Sequence, residues 1–314
     1  MEYSVSIEDV FAAAARLDGI VKRTPVVSAE GIDEIAGRQV LMKCENLQHI
    51  GAFKFRGATN AVIMLGDAAE KGVCTHSSGN HAQALSMAAK NRGVDAYIVM
   101  PKTAPRVKVL GVKDQGAELT FCEPTLAARE STAGEIIDRT GAALVHPYDN
   151  PDVIAGQGTA ALEFFQQAGE LDAIVSPVGG GGLMSGTSVT IRAVTPDARI
   201  FGAEPAGADD AARSLEAGEF LPQTGPDTIC DGLLTSMGEH TWPIIRDHLE
   251  TIIRVTDEQV VEAMRLILDN LGMVVEPSGA VSLAAVLTPE FKELKGIDRV
   301  GVILSGGNVD SLPF

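Results

Sequence analysis

Positive charge and cysteine are both scarce in this chain, and no long apolar run interrupts it. Against 42 acidic residues stand only 25 Lys and Arg, a formal net charge of −17. That balance repels phosphate backbones and anionic lipid heads, so neither nucleic acid nor a membrane surface is expected as a partner. An acidic surface chiefly keeps a protein soluble, and a site for an anionic ligand must then be built locally from backbone N–H groups and a few placed cations. The four cysteines, Cys44, Cys74, Cys122 and Cys230, include no CxxC pair. Neither a zinc site nor a disulfide framework is written in that spacing, and a reduced, cytoplasmic setting is expected. No segment approaches the roughly 18 uninterrupted apolar residues of a membrane span. Met1-Glu2-Tyr3-Ser4 opens no basic-then-apolar leader, so a soluble, untargeted chain is expected. Internal repeats and low-complexity linkers are missing too.

What is present is a rhythm. The chain has 314 residues, 45% of them hydrophobic, enough for one large core or two joined lobes. Short apolar runs read as strands at 40–44, 73–76, 96–100, 119–122, 142–145, 173–176, 200–203 and 300–304. Helical patterns lie between them at 60–65, 82–89, 105–112, 125–139 and 153–167, with Gly93 and Gly116 as helix ends. Repeated strand–helix–strand order predicts the α/β class, with right-handed crossovers and a mainly parallel sheet. Ligands of such sheets sit beyond the carboxyl ends of the strands. Only 218–241 lacks the rhythm, and it is either a pocket wall or plain connecting loop.

Four loops carry chemistry. Ser176-Pro177-Val178 runs into Gly179, Gly180, Gly181 and Gly182 and then a helix-like stretch. Consecutive glycines let N–H groups converge on an anion at a helix N-terminus. The loop lacks the Lys-Ser/Thr of a P-loop and the GxGxxG of a dinucleotide site, so it suits a monophosphate. Thr75-His76-Ser77-Ser78-Gly79-Asn80-His81 also follows a strand; its side chains either cap the helix or offer a carboxylate a site. Lys54 stands between Phe53 and Phe55; it is either a surface lysine with a snorkelling stem or an amine whose pKa desolvation lowers, making it a nucleophile for a carbonyl. Last, the strand at 300–304 opens into Ser305-Gly306-Gly307-Asn308.

Taken in chain order, the lysine motif, the Ser-Ser-Gly-Asn-His loop, the four glycines and the terminal Ser-Gly-Gly-Asn resemble the fold-type II pyridoxal-phosphate enzymes, in the serine/threonine dehydratase and serine racemase branch. Ala203-Glu204-Pro205, Asp231-Gly232, Trp242-Pro243-Ile244-Ile245-Arg246 and Glu276-Pro277-Ser278-Gly279 agree with that branch. The resemblance implies a tryptophan synthase β-like fold of two parallel-sheet lobes with the cofactor between them. It assigns 1–66 and 150–314 to a large cofactor-binding domain and 67–149 to a small mobile one. Lys54 would form the imine with pyridoxal 5'-phosphate and Phe53 pack near the ring. Asn80 would hold the ring hydroxyl, Gly179 to Gly182 the phosphate, and Ser305 would face the pyridine nitrogen. A serine there cannot keep that nitrogen protonated as an aspartate would, which favours α-proton removal by Lys54 closely followed by loss of the β-hydroxyl.

The implied substrate is a small β-hydroxy amino acid, held by Ser77, Ser78, Asn80 and His81. Ser78 would be a second acid–base on the opposite face from Lys54, so that serine racemisation accompanies dehydration. A divalent cation, Mg²⁺, Ca²⁺ or Mn²⁺, is implied at Glu204, the Ala208 carbonyl and Asp210. A homodimer is implied as well, without the effector domain of some relatives. Arg129 is either an exposed helix arginine or the partner of a second carboxylate, which keeps 3-hydroxyaspartate dehydratase as the alternative. A non-catalytic sensor of the cofactor is the alternative of another class.

Overall fold

The computed structural model describes residues 3–77 and 79–314. Their strands are β1 (Val26–Val27), β2 (Gln39–Cys44), β3 (Val73–His76), β4 (Ala96–Pro101), β5 (Glu118–Cys122), β6 (Ala143–Leu144), β7 (Ala173–Pro177), β8 (Arg199–Pro205), β9 (Thr251–Val255) and β10 (Arg299–Leu304). They form a six-stranded sheet in the order β1-β2-β10-β7-β8-β9 and a four-stranded sheet in the order β5-β4-β3-β6. Every pairing is parallel except that of β1 with β2. The class is α/β, as the alternating pattern predicts.

The central strands explain the parallel arrangement. In β7 and β10 the buried residues run without alternation, which is the mark of a strand covered by helices on both faces. One apolar cluster, including Met42, Val175, Phe201 and Val302, lies on one face of the larger sheet. A second, including Phe164, Ile174, Ile200 and Ile303, lies on the other. A third, around Phe55, Leu85, Ile98 and Val153, packs the helices of the smaller sheet. Each large side chain buried in these clusters contributes roughly 1.5–3 kcal/mol. Helix ends follow local rules: Asn150 caps the helix Pro151–Ala168 with proline in its first turn, and Gly93 and Gly141 end theirs in left-handed conformation.

Several elements, β1 and the helices Ile7–Leu17 and Asp257–Leu271 among them, have no counterpart in the sequence-based expectation, and two further departures have an evident physical reason. Strand β9 is absent from that expectation, because a helix (Thr241–His248) ends only three residues earlier and the apolar residues of both merge into one run. The helix expected at 60–65 begins at Lys54 and spans Lys54–Met64. Its first turn has no side-chain cap; instead Arg56, fully buried, is paired with Glu45 and Glu163, each at 2.8 Å. Lys43, also fully buried on β2, pairs with the same Glu163 at 2.8 Å. Two buried cations and two carboxylates thus neutralise one another beneath the start of this helix.

Candidate active site

The carboxyl ends of β7 and β10 face that of β3 across a cleft that is open to solvent at its mouth. Lys54 reaches the cleft from a loop stitched to the end of β10. The Phe53 N–H donates to Ser305 O at 3.0 Å, Ala52 bridges Gly306, and the Gly307 N–H donates to Gly51 O at 2.9 Å. Two successive left-handed residues, Ile50 at φ +57° and Gly51 at φ +71°, turn the chain there. The Lys54 amine donates to Pro147 O at 2.7 Å and lies 5.1 Å from the centre of the Phe53 ring. Half-buried in the cleft wall, it has its pKa brought down by desolvation to about 8. A lysine in that state exists in part as the free amine near neutral pH, the form that adds to a carbonyl.

The glycine loop leaves β7 and enters the helix Gly182–Val194. Gly179 and Gly181 have φ of +47° and +88°, which side chains rarely adopt. Space forbids a side chain as well: a Cβ on Gly180 would sit 2.4 Å from the Tyr148 ring, and one on Gly181 2.7 Å from Ile245 Cδ1. Bare backbone therefore meets the cleft at a helix start, where the first N–H groups have no helical partner and the dipole favours an anion. A phosphate fits this cradle, and an aldehyde on the same molecule fits the desolvated amine of Lys54.

The other expected residues are distributed around the cleft. Ser77, Asn80, His81, Arg129 and Ser305 all line it; Ser78 lies outside the described residues. Asn80 opens the helix Asn80–Arg92, giving one hydrogen to Glu276 Oε1 at 2.5 Å and accepting from Asn308 Nδ2 at 2.9 Å. Ser77 Oγ accepts from the Gly79 N–H at 3.3 Å. His81 is almost wholly buried, with Nε2 3.3 Å from Val145 O, and burial pushes its pKa well below the usual value. Ser305 Oγ donates to Ser278 O at 3.2 Å. The Arg129 Nε is buried without a hydrogen-bond partner among the described residues, and so is His76 Nδ1 beside it in the cleft wall.

Lys108 belongs to no motif, and the sequence assigns no role to Asp231 and Glu276, which stand in motifs. Lys108, 1% exposed, stands 2.6 Å from Asp231 and 3.2 Å from Glu276. Burial works against its charge, but Glu276 and Asp231 outweigh that and hold the ammonium above its ordinary pKa. In sequence Lys108 reads as one more helix lysine; only the tertiary fold turns it inward. The segment 218–241 is a cleft wall in part, since Asp231, Gly232, Leu233 and Thr235 all face the cavity.

Away from the cleft, Glu204 at the end of β8 and Asp210 are fully buried, and Ala208 nearly so. Glu204 Oε2 accepts from the Ala212 N–H at 2.9 Å and Asp210 Oδ1 from Gln223 Nε2 at 3.1 Å. Glu204 Oε1 and Asp210 Oδ2 have no partner among the described residues. Burial, with the neighbouring Asp210 charge, pushes the Glu204 carboxyl well above its ordinary range. Asp210, raised chiefly by burial, reaches about 7. Among the described residues no three His, Cys, Asp or Glu side chains form a metal-binding group. No helix among them is long and apolar enough to cross a membrane.

Comparison with known proteins agrees with this geometry. A serine racemase of Dictyostelium discoideum is 48% identical over 310 residues, 98% of this chain and 96% of that one. A beta-hydroxyaspartate dehydratase of Paracoccus denitrificans is 47% identical over 310 residues, 98% of each chain. The solved structure of maize serine racemase superposes with a TM-score of 0.96 at 43% identity, covering 98% of this chain and 95% of that one. The family model described as pyridoxal-phosphate dependent enzyme matches residues 17–306, and the chain belongs to that family.

Proposed function

We propose that this chain is a pyridoxal-phosphate-dependent ammonia-lyase that converts a β-hydroxy amino acid, L-serine or L-threonine, to a 2-oxo acid and ammonia, with serine racemisation as a companion activity. The observation that carries this is the Lys54 amine, desolvated to a pKa of about 8, in one cleft with a loop of bare glycines. Bound pyridoxal phosphate supplies an electron sink for charge developing at the substrate Cα. Gly179 to Gly182 would hold its phosphate, Asn80 and Ser305 its ring oxygen and nitrogen, and Phe53 would pack near the ring. Lys54 would then take the Cα proton on one face, and Pro147 O, 2.7 Å from the amine, would steady it while it is free. Ser78 is assigned the opposite face. Ser77, Asn80 and the N–H groups of their loop are assigned the substrate carboxylate, with His81 behind them. The lobe 67–149 is read as the part that closes over the substrate.

A second reading, 3-hydroxyaspartate as the substrate, is favoured by Arg129 Nε and His76 Nδ1 in the cleft wall, which have no hydrogen-bond partner among the described residues. A relative bears that activity in its name. The test is a substrate screen for 2-oxo acid formation from L-serine, L-threonine and 3-hydroxyaspartate, with chiral analysis of unreacted amino acid. Arg129→Ala separates the readings: loss of one charge-assisted hydrogen bond lowers kcat/KM by roughly 10–100-fold, and only for hydroxyaspartate if its second carboxylate is the group held. No oxo acid from any of the three would overturn both.

The proposal includes a divalent cation, Mg²⁺, Ca²⁺ or Mn²⁺, at Glu204, the Ala208 carbonyl and Asp210. The two orphaned carboxylate oxygens support it, because a cation would satisfy acceptors that otherwise remain buried and unpaired. A homodimer in the cytoplasm completes the reading; the four buried, unpaired cysteines suit a reduced compartment.

A further inference from the structure

The C-terminal loop carries a side chain that the chemistry above does not use. Asn308 Nδ2 lies 2.7 Å from Ile50 O and 2.9 Å from Asn80 Oδ1. An amide nitrogen has two hydrogens, and these two acceptors take both. A backbone carbonyl can only accept, so Ile50 O decides which way the Asn308 amide is turned. The atom of Asn80 facing that nitrogen must then be its oxygen. Turning Asn80 over would set two NH₂ groups against each other and its oxygen against Glu276 Oε1, which lies 2.5 Å from Asn80 Nδ2. Asn80 therefore gives one hydrogen to Glu276 and keeps one, the sole donor it can offer the cleft. The same Asn308 nitrogen braces Ile50, the one non-glycine residue with positive φ among the described residues. A β-branched side chain avoids that conformation. The turn it makes leads directly into Phe53 and Lys54.

We propose that Asn308 is a positioning residue that sets two parts of the site at once. It holds the left-handed turn that delivers Lys54, and it forces Asn80 to present a hydrogen-bond donor, never an acceptor, to the ring oxygen of the cofactor. A donor there favours the ionised ring oxygen and so governs the colour of the bound cofactor. The inference rests on the reading that Asn80 faces that oxygen.

The experiment loads wild type, Asn80→Ala, Asn308→Ala and Asn308→Asp with pyridoxal phosphate. It measures the dissociation constant by fluorescence titration and the ratio of the two absorption bands that mark ionised and protonated ring oxygen. Both Asn308 variants are expected to bind about tenfold or more weakly and to shift toward the protonated band. Asn308→Asp, although nearly isosteric, is expected to be the worse, because its carboxylate meets two acceptors. An Asp variant equal to wild type, or better than Ala, would mean that the side chain only fills space and would overturn the proposal. Unchanged affinity and bands in Asn80→Ala would instead remove the assignment of Asn80. Ile50→Gly, which needs no brace, is expected to raise the melting temperature of cofactor-free protein more in the Asn308→Ala background than in wild type; equal gains overturn the bracing half. Where Asn308→Ala alone does not fold, the double variant is titrated: low affinity supports the orientation of Asn80, and wild-type affinity overturns it.

Discussion

Replacing Lys54 by Met is expected to stabilise the cofactor-free protein while abolishing its chemistry. The ammonium has an ordinary pKa of 10.5 and is held at about 8 by burial. At about 1.36 kcal/mol per unit, this is a cost of roughly 3 kcal/mol to the folded state at neutral pH. Methionine fills similar space without charge but gives up the hydrogen bond to Pro147 O, worth about 1 kcal/mol. The net gain is about 2 kcal/mol, or ~3 °C in melting temperature for a chain of this size. The sign with pH follows from proton counting. Below the folded pKa of about 8 both states carry the proton and the penalty is complete. Between there and 10.5 the unfolded chain binds more protons, so wild type gains stability as pH rises, and the advantage of Met shrinks through zero to a deficit of about 1 kcal/mol, the lost hydrogen bond. Calorimetry of both cofactor-free proteins from neutral to alkaline pH measures this directly. A Met variant that melts at or below wild type at neutral pH, or a gap that does not close with pH, would refute the claim that Lys54 is desolvated.

Gly181→Ala places a Cβ at φ +88° and 2.7 Å from Ile245 Cδ1, costing about 1–2 kcal/mol in backbone conformation and about 1–3 in overpacking. Cofactor affinity should fall at least tenfold in titration; full retention would mean that the phosphate is held elsewhere. Arg56→Ala leaves Glu45 buried without its partner and should cost about 3–5 kcal/mol, read as a lower urea midpoint. A loss below 1 kcal/mol would show that the buried pairs are not coupled as their distances suggest. Adding Ca²⁺, Mg²⁺ or Mn²⁺ should raise the melting temperature of wild type and not of Glu204→Gln, and a chelator should reverse the gain. Equal indifference of both proteins would dispose of the cation.

Much of the fold was legible because its signals are local. The apolar run Val300–Leu304, with no polar alternation, could only be a strand covered on both faces, and β10 is central in its sheet. Four glycines directly after such a strand could only be backbone exposed to something, and three of them, Gly180, Gly181 and Gly182, line the cleft. Strand β9 was hidden because a helix and a strand of similar apolar content adjoin with almost nothing between them. The early start of the helix at Lys54 was hidden because an arginine at its third position reads as solvent-facing until Glu45 and Glu163 are seen around it.

The sequence by itself determined the α/β class, the identity of the cofactor-shaped loops and the lysine among them, since each depends on residue type and short-range order. Tertiary structure alone decided that Lys108, Asp231 and Glu276 meet across 123 and 168 residues of chain, that Asn308 sets the orientation of Asn80, and that the Lys54 amine is desolvated. Those facts are matters of distance between residues far apart in the chain, and burial and pairing depend on distance in space, which periodicity along the sequence does not carry.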